Sequence, residues 1–343
     1  MANLIELDSL EILAIIDNEL DPISHSPNSS VIQTGGLKEI GLRGLLSQDD
    51  PRGAGAEMRM DKICCSAHGL SLLITAVVGD TRRTILFDTG PEESAWERNA
   101  ARLGVDAGVI ERVVLSHWHR DHSGGMLKVL EHFAAARKGK GGEGKGLPID
   151  LHPARPDFRG VQPPGMPVFS LEADPTFESI EGAGGVVEKS DQVHDVLDGH
   201  FAVSGEIPRV TDYEVGMKFG VRFDSETGKW GSDEKMADER LLLCKVKGKG
   251  IVIFTGCSHA GVVNASRHAV ELGGGAPLYA VVGGFHLADG QPPHIQSTVN
   301  DLKALDVQVL LAGHCTGWRA KYAIEKEMPG RLVPSFVGSK YTL

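Results

Sequence analysis

The feature that most constrains this chain is a run of histidine and aspartate residues directly after a short apolar segment. Residues 113–115 have the apolar pattern of a β-strand, and residues 116–125 continue as SHWHRDHSGG. His117 and His119 are two residues apart at the strand end, so their imidazoles can point the same way and share one cation. The run therefore predicts that a strand delivers metal ligands to the rim of a sheet.

The second half of the run can serve a second cation. Asp121 and His122 lie in the turn that opens the next helix, a short distance from the first pair. Gly124 and Gly125 permit a tight backbone turn. Imidazole nitrogen together with carboxylate oxygen suits Zn²⁺, and iron or manganese also accept this set. We expect two divalent metal ions, with Zn²⁺ favoured.

Apolar segments along the rest of the chain predict an α/β fold, because strand-like runs alternate with helical periodicity. The predicted strands are residues 11–16, 71–78, 84–87, 112–115, 241–246, 251–254, 278–282 and 307–311. The predicted helices are residues 91–104, 123–137, 261–273, 294–305 and 317–327. We expect a single domain over residues 1–343, with a flexible insertion rich in Gly and Lys near residues 138–148.

Composition excludes several classes of protein. The chain has 343 residues, is 41% hydrophobic and carries a net charge of −11, which argues against a nucleic-acid binder. Its five cysteines have no regular spacing, as is typical of a reducing compartment. The first residues lack the basic leader of a signal peptide, and no apolar run approaches the roughly 20 residues that span a bilayer. We expect a cytoplasmic protein without nucleic-acid or membrane partners, in an oligomeric state that the sequence leaves open.

Four further candidates for the metal site come at or just after apolar strands, which would place them on one edge of the fold. His259 and His314 are expected to be metal ligands. Cys257 is either a thiolate ligand or an uncharged buried thiol. His286 follows two glycines and either orients the substrate and transfers a proton, or makes a structural hydrogen bond.

The His-x-His-x-Asp-His run at residues 117–122 resembles the signature of the metallo-β-lactamase-fold hydrolase superfamily. The resemblance implies a four-layer αββα sandwich with a site for one or two metal ions at one edge of its sheets. It also implies that Asp88, which ends the strand ILFD, supports the metal-binding histidines by hydrogen bonding; the alternative is a strand-end turn residue. His314 matches the last histidine ligand of the family, whereas Cys257 stands where many members have a bridging aspartate.

A narrower resemblance extends over roughly residues 10 to 340. Its motifs are residues 17–18, 68–71, 205–209, 255–261, 283–287 and 314–317. Together they resemble the branch of 7,8-dihydropterin-6-yl-methyl-4-(β-D-ribofuranosyl)aminobenzene 5′-phosphate synthases. The resemblance implies a transferase activity as an alternative to hydrolysis. Residues 205–209 contain no histidine at the place where other members of the superfamily supply one.

These observations lead to a hypothesis about mechanism. Water between two cations loses a proton near neutral pH, and the resulting hydroxide can attack a phosphorus or carbonyl centre. We expect a metal-dependent hydrolase of a small anionic molecule, a phosphodiester or another ester, with catalytic roles for Asp121 and His286. The alternatives are the synthase-like transferase and a metal-binding sensor without turnover.

Other residues are expected to support this chemistry. His68 is expected to contribute structurally beside the metal site. Arg209, Arg319 and Lys321 are candidates to bind the anionic group of the substrate, although surface Arg and Lys are often only solvated.

Overall fold

A computed structural model describes residues 1–139 and 145–343. The strands are β1 (Glu6–Leu7), β2 (Ser9–Ile16), β3 (Ile32–Thr34), β4 (Ser71–Val78), β5 (Thr81–Phe87), β6 (Arg112–Val114), β7 (Leu147–Leu151), β8 (Phe158–Val161), β9 (Phe169–Ser170), β10 (Gly185–Lys189), β11 (His194–Val196), β12 (Phe201–Val203), β13 (Gly220–Asp224), β14 (Lys229–Ser232), β15 (Leu242–Val246), β16 (Gly250–Thr255), β17 (Leu278–Gly284), β18 (Val309–Gly313), β19 (Leu332–Pro334) and β20 (Lys340–Thr342). The α-helices are α1 (Leu37–Leu42), α2 (Glu93–Leu103), α3 (Arg120–Ser123), α4 (Met126–Gly139), α5 (Phe177–Gly182), α6 (Val262–Leu272), α7 (Pro292–Ala304) and α8 (Trp318–Glu327). Short 3₁₀ turns lie at Met60–Lys62, Ala107–Val109 and His314–Thr316.

The described strands form three sheets. The first has the order β10-β7-β6-β5-β4-β2-β20-β3, and the second has the order β11-β12-β15-β16-β17-β18-β19, with β1 beside β15. A small sheet of four strands has the order β14-β13-β8-β9. Strands β5, β6 and β7 are parallel, as are β16, β17, β18 and β19. Parallel strands bring their carboxyl ends to one edge, where binding sites of such sheets form.

The main core lies between the two large sheets. Ile12, Ile74 and Phe87 of the first sheet pack against Phe254 and Leu311 of the second, and all five side chains are fully buried. Each large apolar side chain removed from water contributes about 1.5–3 kcal/mol to folding. The face-to-face packing therefore fixes the relative positions of the two sheet edges.

Helices cover the outer faces of both large sheets. Helices α2, α4 and α5 pack on the first sheet through residues such as Trp96 and Leu130. Helices α6, α7 and α8 pack on the second through Val263, Val299 and Ile324. The resulting order of layers, α/β/β/α, confirms the predicted four-layer sandwich.

A buried carboxylate fixes the start of α6, the helix that comes after β16 and Cys257. Glu214 accepts hydrogen bonds from the backbone N–H groups of Val263 at 2.9 Å and Asn264 at 2.8 Å. The first N–H groups of a helix have no partner within it, so an acidic side chain there stabilises the helix end. This cap holds the turn before α6, which contains His259.

Each predicted element matches an observed one apart from its ends, but many shorter observed elements were not predicted: helices α1 and α5 and strands β1, β3, β7, β10, β11, β12, β19 and β20. The strand predicted at 307–311 is observed at Val309–Gly313, and the helix predicted at 123–137 is divided between α3 and α4. The small sheet was not predicted. Within the insertion expected near 138–148, α4 continues to Gly139, β7 begins at Leu147, and residues 140–144 lie outside the described residues. The single-domain organisation stays a prediction.

Across the described ranges, no helix combines the length and the apolar character needed to cross a membrane.

Candidate metal centre

The candidate ligands, and Asp88 that supports them, are carried by loops that follow the strands of both large sheets. Asp88 follows β5, His117 follows β6, Cys257 follows β16, and His314 follows β18. Asp88 and His314 have φ angles of 58° and 46°, in the left-handed region that non-glycine residues seldom adopt. Such conformations cost about 1–3 kcal/mol each and are retained where the surrounding structure enforces them, typically at functional sites.

The first group of ligand atoms, the three-histidine cluster, consists of His117, His119 and His259. His119 Nδ1 lies 3.0 Å from His117 Nε2 and 3.3 Å from His259 Nε2. All three side chains are buried. The structure thus adds His259, which is 140 residues away from His119 in the chain, to the pair at the end of β6.

The second group, the mixed cluster, consists of Asp121, His122, Cys257 and His314. Cys257 Sγ lies 3.2 Å from His122 Nε2 and 3.1 Å from His314 Nε2. Asp121 Oδ2 lies 3.6 Å and 3.3 Å from the same two nitrogens. The mixed cluster therefore gathers oxygen, sulfur and nitrogen donors around one point.

Asp88 supports one histidine in each cluster. It accepts hydrogen bonds from Ser116 Oγ at 2.8 Å and from His122 Nδ1 at 2.7 Å. Because the Ser116 hydroxyl donates to Asp88, it accepts from His117 Nδ1, which lies 2.9 Å away. Each ring then carries a proton on Nδ1 and turns Nε2 toward its cluster.

Asn18 supports the imidazole of His314, the second histidine of the mixed cluster. Its Oδ1 accepts from the backbone N–H of Gly69 at 3.0 Å, which identifies that atom as the oxygen, and it also accepts from His314 Nδ1 at 2.9 Å. The amide nitrogen of Asn18 donates to His68 Nδ1 at 3.0 Å. His68 therefore carries its proton on Nε2, which lies 3.5 Å from Asp121 Oδ2, and its side chain is 72% exposed.

The clusters differ in protonation. Burial lowers the pKa of His117 and His259 well below the usual range and lowers the pKa of His119 to about 3. Burial also acts to lower the pKa of His122, but the carboxylates of Asp121 and Asp88 outweigh it and raise that pKa to about 9. Burial raises the pKa of the Cys257 thiol.

Both clusters fit divalent metal ions. In the three-histidine cluster, the ring proton of His117 is engaged by Ser116, and three nitrogens converge. One ring N–H can satisfy only part of this set, whereas a cation can accept all three lone pairs. Imidazole, carboxylate and thiolate are the ligands that zinc binds in proteins. The rings of His117 and His122 have centroids 4.4 Å apart, so the two clusters adjoin.

An open cavity of about 780 Å³ gives access to both clusters. Five members of the two clusters line it: His119, His259, Asp121, Cys257 and His314. His68, His286 and Cys315 line it as well. The remaining described lining residues are Ala67, Pro91, Glu92, Arg120, Leu171, Glu172, Met217, Ala288 and Asp289. Leu171 and Glu172 directly follow β9, so the segment that leaves the small sheet contributes to the wall of the cavity.

His286 lies beside the three-histidine cluster, and its ring centroid is 4.4 Å from that of His259. A ring nitrogen of His286 and the sulfur atoms of Cys257 and Cys315 lie within 4.8 Å of one another. The structure thus places His286 at the cavity, beside the candidate metal ligands.

The three predicted anion-binding residues lie elsewhere. Arg209 donates to two backbone carbonyl groups, and Arg319 lies over an adjacent indole ring at 5.3 Å. Lys321 forms a 2.8 Å ion pair with Glu19. The cation in the described cavity wall is instead Arg120, from within the histidine-aspartate run, which lies 3.3 Å from a carboxylate oxygen of Glu172.

Sequence reasoning also missed a buried ion pair behind the three-histidine cluster. Arg159 of β8 donates to Trp118 O at 2.6 Å and pairs with Asp238, which accepts from Trp118 N at 2.9 Å. Both charged side chains are 3% exposed. They hold the residue between His117 and His119 and so connect the small sheet to the ligand loop. No local pattern around residue 159 signals this role.

Comparison with known proteins decides the family. The model of the metallo-beta-lactamase superfamily matches residues 69–211. A protein of Methanocaldococcus jannaschii, 7,8-dihydropterin-6-methyl-4-(beta-D-ribofuranosyl)-aminobenzene-5'-phosphate synthase, is 30% identical over 264 residues, which cover 76% of this chain and 85% of that protein. The chain belongs to the metallo-β-lactamase superfamily.

Two further proteins are similar to this chain. An uncharacterized protein of Methanocaldococcus jannaschii, MJ0448, is 30% identical over 257 residues, covering 74% of this chain and 85% of that protein. The solved structure of Tm1679, a metal-dependent hydrolase of the beta-lactamase superfamily, matches with a TM-score of 0.67 and 22% identity, over 96% of this chain and 98% of that one. The structural match supports the metallo-β-lactamase fold.

Proposed function

We propose that this protein is a metal-dependent hydrolase of a small anionic molecule, a phosphodiester or another ester. The observation that carries the proposal is the pair of adjoining ligand clusters at one cavity of about 780 Å³. His117, His119 and His259 would hold one divalent ion, and the mixed cluster would hold a second. Two such ions, when bound, supply Lewis acidity and lower the pKa of water.

The side chains around the clusters supply positioning. Asp121 is 23% exposed at the cavity, where its Oδ2 can orient an attacking group by accepting a hydrogen bond. His68 Nε2–H points toward that oxygen and helps to hold it. His286, beside His259, can donate a hydrogen bond to the leaving group. Arg120 can pair with an anionic group of the substrate in place of Glu172.

The test combines elemental analysis with turnover of a panel of phosphodiesters, lactones and thioesters, before and after chelation. We expect about two divalent ions per chain and loss of turnover on chelation that added Zn²⁺ restores. His119→Ala and Asp121→Ala should each lower turnover by about 100-fold or more, as expected when a metal site is disrupted. Arg319→Ala, outside the cavity, is the matched control. Undiminished hydrolysis in both cluster variants would refute the proposal.

A second candidate is a synthase, and its support is the relative from Methanocaldococcus jannaschii with 30% identity over 85% of its length. The test offers the protein a dihydropterin together with a ribofuranosyl-aminobenzene phosphate and searches for the joined product by mass spectrometry. Formation of that product with no ester turnover would favour the synthase. Metal binding without either activity would favour a sensor.

A further inference from the structure

Two cysteines that are far apart in the chain meet at the carboxyl edge of the second large sheet. Cys257 follows β16 and Cys315 follows β18, while β17 lies between these strands. Their sulfur atoms lie within 4.8 Å of each other, and Cys315 Sγ–H donates to the backbone carbonyl of Cys257 at 3.4 Å. The two thiols therefore face each other across the end of β17.

Gly284, the last residue of β17, makes this meeting sterically feasible. A Cβ atom at this position would lie 2.7 Å from Cys315 Sγ and 2.5 Å from Gly256 O. Both distances are well inside van der Waals contact, so any larger residue would push the Cys315 side chain away. The glycine thus leaves open the space in which the sulfur atoms approach each other.

The pair borders the open cavity, and the other cysteines are differently placed. Cys257 is 4% exposed and Cys315 is partly exposed, and both line the cavity, so a small oxidant that enters it can reach the pair through Cys315. Cys244 is buried in the core between the two large sheets. Cys64 and Cys65 are adjacent in the chain, an arrangement that strains a disulfide.

We propose that Cys257 and Cys315 form a reversible disulfide, and that this disulfide and metal binding by the mixed cluster exclude each other. In the oxidation, both S–H bonds break and one S–S bond forms. A hydroperoxide accepts the two electrons and two protons, its O–O bond breaks, and with hydrogen peroxide the product is two molecules of water. A dithiol reductant reverses the step by thiol–disulfide exchange.

Mutual exclusion follows from the position of one atom. Cys257 Sγ lies 3.2 Å from His122 Nε2 and 3.1 Å from His314 Nε2, so it is also the sulfur donor of the mixed cluster. A disulfide sulfur is no longer a thiolate donor, and a sulfur bound to a cation is shielded from oxidation. This part of the inference rests on the metal binding in the proposed function, whereas the disulfide itself does not.

The test treats the full chain with hydrogen peroxide in two states, metal-free and loaded with Zn²⁺. Free thiols are then alkylated, and linked peptides are mapped by mass spectrometry. We expect a peptide linking residues 257 and 315 in the metal-free protein, removed by dithiothreitol. At a free zinc concentration of 100 Kd the link should form about 100-fold more slowly, because only the ion-free fraction reacts. Bound zinc is measured in parallel.

Variants separate this pair from general thiol oxidation. Cys315→Ser and Cys315→Ala should each abolish the link, whereas Cys65→Ser should leave it unchanged. Absence of the 257–315 link in the metal-free wild type, with oxidation at other cysteines, would overturn the disulfide. A link that forms equally fast with zinc bound would overturn the mutual exclusion. Absence of zinc binding would overturn the exclusion and the proposed function together, while the peptide map still decides the disulfide.

Discussion

The two ligand clusters lie side by side but are held in different ways. The three-histidine cluster consists of imidazoles alone, and the turn of His259 is held through its backbone N–H, which donates to Glu239 at 2.8 Å. The mixed cluster has two charged or amide supports, Asp88 and Asn18, directly behind its histidines. One cluster is therefore kept neutral by burial, whereas the other contains its own carboxylate and a protonated imidazole.

The difference matters for metal binding. A neutral imidazole offers its lone pair without losing a proton, so the three-histidine cluster is ready for a cation at neutral pH. The mixed cluster must first release the protons of His122 and of the Cys257 thiol. Burial acts to lower the pKa of His122, but the nearby carboxylates outweigh it and raise that pKa to about 9, and burial raises the pKa of Cys257. The two clusters should therefore respond differently to substitution and to pH.

The largest effect is expected for Arg159→Met, which leaves the buried carboxylate of Asp238 without its partner. Removing one partner of a buried ion pair costs about 3–5 kcal/mol, measured here as the free energy of unfolding in urea. Zinc affinity should fall more at the three-histidine cluster, whose loop the pair holds. Arg319→Met, on the surface, is the control and should change stability by less than about 0.5 kcal/mol. Equal stability of the two variants would contradict this role of Arg159.

Asp88→Asn should weaken both clusters, because Asp88 supports His122 directly and His117 through Ser116. Loss of such a support typically lowers metal affinity by about 10–100-fold. Titration of the metal-free protein with Zn²⁺, monitored by calorimetry, should show lower affinity at both binding steps. Lower affinity at only one step would contradict the role of Asp88 in both clusters.

Zinc binding should depend on pH at one cluster only. Binding at the mixed cluster releases the proton of His122, whose pKa is raised to about 9, and that of the Cys257 thiol, whose pKa burial raises, so affinity there should fall by more than about tenfold per pH unit as the pH drops from 8 to 6. The three-histidine cluster should be nearly insensitive over this range, because the pKa of His119 is lowered to about 3 by burial. Calorimetry in two buffers of different ionisation enthalpy counts the released protons. Identical proton release at both steps would contradict the assignment.

Asn18→Ala should have the smallest effect, and it should distinguish the two clusters most clearly by their zinc affinity. It removes the acceptor of His314 Nδ1 and touches no residue of the three-histidine cluster. We expect about a tenfold loss of affinity at the mixed cluster, the lower end for such supports, and no change at the other. An equal loss at both clusters would indicate a general structural defect.

The sequence predicts the parts of this molecule that depend on neighbouring residues. Strands such as β16 and β17 are buried along their whole length, so each appears as an uninterrupted apolar run. The candidate ligands of the run at residues 117–122 are likewise close together in sequence, so their spacing can be read from the sequence directly. His259 and His314 could be proposed because each comes soon after such a strand.

Other features depend on contacts that no local pattern records. The small sheet is built from short strands such as β14, which reads KWGS and is mostly exposed. Asn18 acts on a histidine 296 residues away. The cationic residues expected at the substrate were selected by charge, and charge alone does not determine which side chains reach the cavity.

One contact spans nearly the whole chain, since Asp17 Oδ1 accepts from the backbone N–H of His314 at 2.9 Å across 297 residues. A ribosome releases the amino-terminal strand long before it makes this histidine. During synthesis the growing polypeptide therefore cannot complete the mixed cluster until residue 314 has been translated. The histidines at 117, 119 and 259 are all made earlier, so the two clusters become complete one after the other.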